Sequence, residues 1–251
     1  MAQEVKEDGG AQLGAQLEPL VFYAGLDFET TGTSDTDEIT QLGVAMSAGG
    51  SAKGSEGTVT FSQHVHTTRF ISPLVERLTG ITNQDVASAK PFKDVLANFV
   101  QTFNSLAEVL APHATRVLVT YNGTNFDLRF LARALKTCKW TLEEFFAECK
   151  ITAHVDLLVH VRQTFRSSNA LGAVYFEHFN ETFDAHDAGK DAAATVRLAV
   201  AMQIPLTLAT NIRAVLADVH RHGVKGVYKP FSDRSRFLET RRGFEFNLRE
   251  L

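Results

Sequence analysis

Asp27 and Glu29 stand one residue apart at the end of the apolar run Val21-Phe22-Tyr23-Ala24-Gly25-Leu26. Successive side chains on a β-strand point to opposite faces, so residues two apart share a face and these carboxylates converge. Like charges held that close favour a cation between them. Two further acids lie where such a cluster could recruit them: Asp127, closing Tyr121-Asn122-Gly123-Thr124-Asn125-Phe126-Asp127, and Asp191, in His186-Asp187-Ala188-Gly189-Lys190-Asp191. Hard carboxylate oxygens with one imidazole nearby suit Mg²⁺ or Mn²⁺ better than zinc. The chemistry that fits is phosphodiester hydrolysis, in which two divalent ions roughly 4 Å apart stabilise charge on the attacking and leaving oxygens together.

Taken singly, each residue has an ordinary structural reading. Asp127 could cap a helix, Asp191 could be an acid near a helix N-terminus, and His186 a surface or capping histidine. Their combination and chain order carry the functional reading. His186 precedes Asp191 by five residues, and inside one helix the two would face apart. The pair therefore works only if His186 sits on the loop before the helix. A neutral imidazole there, with an ordinary pKa of about 6.5, can take the proton of the attacking water.

The elements that must position these groups are legible in outline. A first strand runs to Phe28 and a second spans about Ile39 to Ser47, with a Gly- and Ser-rich connection over Ser47 to Gly57. Thr58 to Thr67 alternates as a third strand, completing an antiparallel start. Pro91 opens a helix carrying Phe92, Val95, Leu96, Phe99, Val100 and Phe103 three or four residues apart. Arg116 to Thr120 reads as a buried strand, followed by an Asn-Gly turn and a helix over Asp127 to Thr137. Trp140 to Lys150 and Asp156 to Phe165 read as helices around a short strand at Ile151 to Val155. Ala188 to Met202 is an alanine-rich helix, and Leu206 to His220 a further one. Strands alternating with helices after a hairpin start predict an α/β mixed sheet covered on both faces.

At 251 residues and 44% hydrophobic content, the chain can bury one substantial core. The organisation expected is a polar segment over 1–19, one domain over 20–204, and a C-terminal helix and basic aromatic extension over 205–251. The segment Met1 to Pro19 has neither the basic flank nor the apolar core of a signal peptide, and no apolar stretch reaches membrane-spanning length. Two cysteines, Cys138 and Cys149, suit a reducing interior, so a soluble intracellular protein is expected. A net charge of -4 argues against a protein that coats duplex phosphates broadly. An enzyme gripping a strand end needs no such excess. Beyond Lys225, arginines and lysines interleave with Tyr228, Phe231, Phe237, Phe244 and Phe246; these could track nucleic acid, pack on the core, or dock on a partner.

The strings DFETTG (27–32), LTGIT (78–82), NGTNFDLRFL (122–131) and HDAGKDAAAT (186–195) resemble the DnaQ-like, DEDDh branch of the 3′-to-5′ exonucleases, which includes proofreading subunits, RNase T and TREX-type enzymes. The likeness covers about Phe22 to Met202. It implies an RNase H-like fold with a five-stranded mixed sheet flanked by helices. Carried over residue by residue, Asp27 would bridge two Mg²⁺ or Mn²⁺ ions, Glu29 and Asp191 would hold the ion of the attacking water, Asp127 would hold the leaving-group ion, and His186 would be the general base. The sister branch uses a tyrosine nearby, and position 187 is Asp, so the histidine branch is implied. The backbone at Thr30 and Thr31 would meet the terminal nucleotide, Ile81 would wedge against the last bases, and Asn122 and Phe126 would line the same cleft. Thr33 departs from the Leu common in relatives, and the proline-rich insertion of TREX-type enzymes is not found.

The activity implied is release of nucleoside 5′-monophosphates from single-stranded or frayed 3′ ends. DNA is favoured, because oligoribonuclease tends to carry Met where Thr30 stands. RNA as the substrate, and a non-catalytic nucleic-acid-binding or adaptor module on the same fold, are the alternatives. A homodimer, or a polymerase or repair partner, follows from the same likeness.

Overall fold

The computed structural model describes residues 20–48, 58–164, 168–204 and 209–222. The expected 1–19 segment, most of the Gly/Ser-rich connection and the extension beyond Lys225 lie outside them. Strands β1 (Val21–Thr30), β2 (Ile39–Ala48), β3 (Val59–His64), β4 (Thr115–Thr120), β5 (Ile151–Asp156) and β6 (Thr210–Asn211) form one sheet in the order β3-β2-β1-β4-β5-β6. The first three pair antiparallel, as expected. Strand β4 lies parallel to β1, and β5 parallel to β4. The sheet has six strands rather than the expected five, because β6 adds an antiparallel edge to β5. Two residues carry no readable periodicity, and the sequence pattern absorbed them into a helix from Leu206. That helix, α9, is Ile212–His222, and 205–208 lie outside the described residues.

Alternation along β1 divides the molecule. Phe22, Ala24, Leu26 and Phe28 enter a core with Val95, Phe99 and Phe103 of α3 (Phe92–Leu110) and Leu128 and Leu131 of α4 (Asp127–Thr137). Val21 and Tyr23 enter a second core on the opposite face, with Val161 of α6 (Leu157–Thr164), Val174 of α7 (Leu171–Phe179) and Ala192, Val196 and Ala199 of α8 (Ala188–Ala201). Asp27 and Glu29 have the parity of Val21 and Tyr23, which places them on the α8 side. Helix α5 (Leu142–Glu148) starts at Thr141 with a capping box to Glu144 and adds Phe145 and Phe146 to the first core. Three helices escaped the sequence pattern: α1 (Pro73–Thr79) buries no residue, α2 (Asn83–Ser88) buries only Val86, and α7 buries Val174 and Tyr175. The string LTGIT is the joint of α1 and α2, with Gly80 at φ 71 ending α1 and Thr82 capping α2.

Helix α8 approaches the sheet unusually closely, because two glycines face it. A Cβ on Gly43 of β2 would lie 2.0 Å from the Ala188 carbonyl carbon, and one on Gly25 of β1 would lie 2.5 Å from the Ala192 oxygen. Among the described residues no helix is long and apolar enough to cross a membrane.

Gly43→Ala should lift the start of α8 from the sheet. The expected loss is about 1–3 kcal/mol or more, the usual cost of overpacking, read as a lowered urea midpoint. An unchanged midpoint would show that α8 can yield without cost.

Candidate active site

The carboxyl ends of the parallel strands β1, β4 and β5 open on one side of the sheet, where ligands of such sheets are commonly bound. Glu29, at the end of β1, is 4% exposed, while Asp27 is half-buried. Opposite them in register, Asp27 pairs with Gly43 and Glu29 with Gln41. The gap that Gly43 leaves admits the first turn of α8, which carries Asp191. As a result Glu29, His186 and Asp191 each offer one ligand atom, all within 4.8 Å of one another.

Asp127 arrives from the other layer. It begins α4, and its Oδ1 accepts the Phe28 N–H at 3.0 Å across 99 residues of sequence. The Asp127 carboxylate therefore ties α4 to the middle of the Asp27-x-Glu29 motif. Burial pushes its pKa up to about 8, opposed by the Phe28 N–H and reinforced by the charges of Asp156 and Glu29. Crowding of this kind is what a hard divalent cation relieves, and carboxylates with one imidazole are the donor set such a cation takes.

His186 sits before α8, as the five-residue spacing required. Its backbone is left-handed, at φ 72, a conformation that costs a non-glycine residue energy and persists where the surroundings impose it. Hydrogen bonds on both sides of it hold the turn. The His186 N–H donates to Asp191 Oδ2 at 3.0 Å. Asp187 caps α8 by accepting the Lys190 N–H, and Gln41 Nε2 reaches the same Asp187 carboxylate at 3.1 Å while Gln41 Oε1 accepts the Ala188 N–H. Gln41 was not among the expected site residues, although its position two before Gly43 already put it on the face of Glu29.

Thr30 and Thr31 are buried at the turn out of β1. Thr31 Oγ1 donates to Asp37 at 2.9 Å, and Arg133 of α4, stacked 4.2 Å over Phe130, donates to the Asp37 carbonyl at 2.8 Å. Asn122 adopts φ 66, and the Phe126 ring lies 4.8 Å from that of Phe130. Ile81 is buried with Ile71 and Val86 in a small separate core.

The matching family model is that of exonucleases (RNase_T), over residues 24–199. The chain belongs to this exonuclease family. A Mycobacterium tuberculosis (strain CDC 1551 / Oshkosh) protein assigned the name of a bifunctional exonuclease/endonuclease is 29% identical over 181 residues, 69% of this chain and 25% of its own. The chain thus spans a quarter of that relative's length. Solved structures share the fold. The nuclease domain of 3′hExo, a DEDDh family member bound to rAMP, aligns with TM-score 0.59 and 20% identity over 76% of this chain and 95% of that one. The 3′-exonuclease that recognises the histone mRNA stem-loop aligns with TM-score 0.57 and 19% identity over 74% and 83%. The exonuclease resemblance and the RNase H-like fold expected from sequence agree with these comparisons.

The chain holds its Asn-Gly turn with a residue the sequence did not signal. Asp156, the last residue of β5, accepts the N–H groups of Asn122 at 2.8 Å and Thr124 at 3.1 Å. Gly123 is required between them, since a Cβ there would lie 2.3 Å from the Thr120 side chain. Beneath the turn, buried His154 pairs its Nε2 with Thr120 Oγ1 at 2.9 Å. Burial pushes the His154 pKa down from 6.5 to about 4, with Asp156 opposing.

Between those values the unfolded chain binds a proton that the folded chain refuses. The associated stability is complete above pH 6.5 and is lost as the pH falls toward 4. In urea titrations across this range, His154→Gln should flatten the decline by at most about 3 kcal/mol. Parallel curves for parent and variant would assign the decline to other groups.

Proposed function

We propose that residues 20–204 form a divalent-metal-dependent 3′-to-5′ exonuclease domain that releases nucleoside 5′-monophosphates from single-stranded or frayed 3′ ends. The observation that carries the reading is the meeting of Glu29, His186 and Asp191 within 4.8 Å at the strand end to which Asp127 is bonded. Asp27, Glu29, Asp127 and Asp191 would hold two divalent cations, Mg²⁺ or Mn²⁺. Such ions, when bound, stabilise the charge that develops on the attacking and leaving oxygens.

The protein's own groups do the remainder. His186 takes the proton of the attacking water at a ring nitrogen, and the bond from its main-chain N–H to Asp191 keeps the imidazole beside the acids. The backbone at Thr30 and Thr31 receives the terminal nucleotide, on a loop that Asp37 and Arg133 hold in shape. Asn122 and Phe126 line the facing wall. Ile81 is the residue that would wedge against the last bases, and it starts from within its own small core.

Thr30, where oligoribonuclease carries Met, favours DNA. One observation favours RNA: the structural neighbours are a 3′-exonuclease that recognises an mRNA stem-loop and a nuclease domain bound to rAMP. Matched DNA and RNA oligonucleotides digested in parallel discriminate the two. Association as a homodimer, or with a polymerase or repair partner, belongs to the same proposal and is read by light scattering with and without the partner.

A 5′-labelled oligonucleotide should shorten stepwise from its 3′ end in Mg²⁺ and stay intact in EDTA. Asp27→Ala should lower kcat by roughly 10³-fold or more. Removing one of several crowded carboxylates relieves repulsion, so its melting temperature in EDTA should equal or exceed the parent's. Cleavage by the folded variant at the parental rate would refute the assignment.

A further inference from the structure

A nuclease whose cleft is lined by acids repels the phosphates it must hold, so the strand behind the terminal nucleotide needs a grip outside the acid cluster. We propose that Phe70, next to Arg69, is that grip: a stacking platform for the single strand upstream of the scissile bond. The inference rests on the exonuclease reading above and adds a binding surface to it.

Phe70 is 74% exposed. Single exposed apolar residues are ordinary on protein surfaces, so exposure alone says little. Its position says more. On one side, Arg69 Nε lies 3.9 Å from Asp37 Oδ1, the same oxygen that accepts the Thr31 hydroxyl at 2.9 Å. One carboxylate therefore separates Arg69 from the loop that follows Glu29. The preceding Thr68 N–H donates to Glu38 of that loop at 3.0 Å. On the other side, Ile71 is buried with Ile81 and Val86, and its N–H and carbonyl both pair with the Asn83 side chain, at 2.8 and 3.0 Å. The backbone at position 70 is thus pinned between the β1–β2 loop and the core that holds Ile81. The aromatic ring is presented by a fixed frame.

Its company is also suited to nucleic acid. Arg69 and Arg77 are exposed, and the apolar Leu74, three residues before Arg77 on α1, is 46% exposed. On a chain of net charge -4, the exposed guanidinium of Arg69 next to an exposed aromatic, with Arg77 exposed on the helix that follows, is complementary to a phosphate backbone with unpaired bases. Every base offers a π-face, so a stacking platform tolerates any sequence, as an enzyme that retreats one nucleotide at a time requires.

The test compares the full chain with Phe70→Ala and Phe70→Trp in Mg²⁺. One substrate is a single strand of about twelve nucleotides, and the other is the p-nitrophenyl ester of thymidine 5′-monophosphate, which has no upstream strand. Phe70→Ala should raise KM for the longer substrate by about tenfold with kcat unchanged, leave the small ester unaffected, and be rescued by Phe70→Trp. An independent arm measures the Kd of a fluorescein-labelled strand by anisotropy in EDTA, where Phe70→Ala should weaken binding by about the same factor. Equal effects on both substrates, or an unchanged Kd, would overturn the platform. Should the parent protein cleave neither substrate, the exonuclease reading fails, and the anisotropy arm still decides the platform on its own.

Discussion

The structure is organised around an electrostatic problem. Several carboxylates are brought to the end of one strand, and three of them, Glu29, Asp127 and Asp191, are buried. A buried carboxylate beside others is costly in the absence of a counter-charge. Nothing in a hydrophobic core would select such a cluster for stability. It persists because surrounding contacts over-determine it, and within it Glu29, His186 and Asp191 form a candidate metal-binding group.

Those contacts come from both layers of the sheet. On the α8 side, Gly43 and Gly25 surrender side chains so that a helix can lie against backbone. That intimacy brings Asp191 to Glu29, and Gln41 then secures the helix start through Asp187 and Ala188. The left-handed backbone at His186 is the local cost of turning into a helix so close to the sheet. On the α4 side, the reach is made by Asp127 itself, whose bond to Phe28 replaces the helix-capping role that its position would otherwise suggest. Asp156 fixes the turn before it by accepting two main-chain N–H groups.

Much of this was legible beforehand, and the reasons differ by element. The long helix α3 buries apolar residues at the helical period, and strands β1, β2 and β4 are short runs buried almost throughout, so their existence followed from the pattern. The placement of His186 on a loop followed from helical geometry together with the reading that it and Asp191 share a site. Helices α1 and α2 were missed because they bury almost nothing, and capping side chains hold their ends. Strand β6 was missed because two residues have no period, and pairing with β5 defines it.

The residue string by itself determined the chemistry: which acids are present, their order, the strand that pairs Asp27 with Glu29 on one face, and the motifs that assign the chain to its family. Tertiary structure alone decided that Glu29, His186 and Asp191 lie within 4.8 Å, that Asp127 bonds to Phe28, and that Asp156 and Gln41 hold the frame. Composition and period are local properties of a chain. The distance between residues far apart in sequence is set by how closely two layers can pack, and here that depended on glycines whose importance appears only when a helix lies against them.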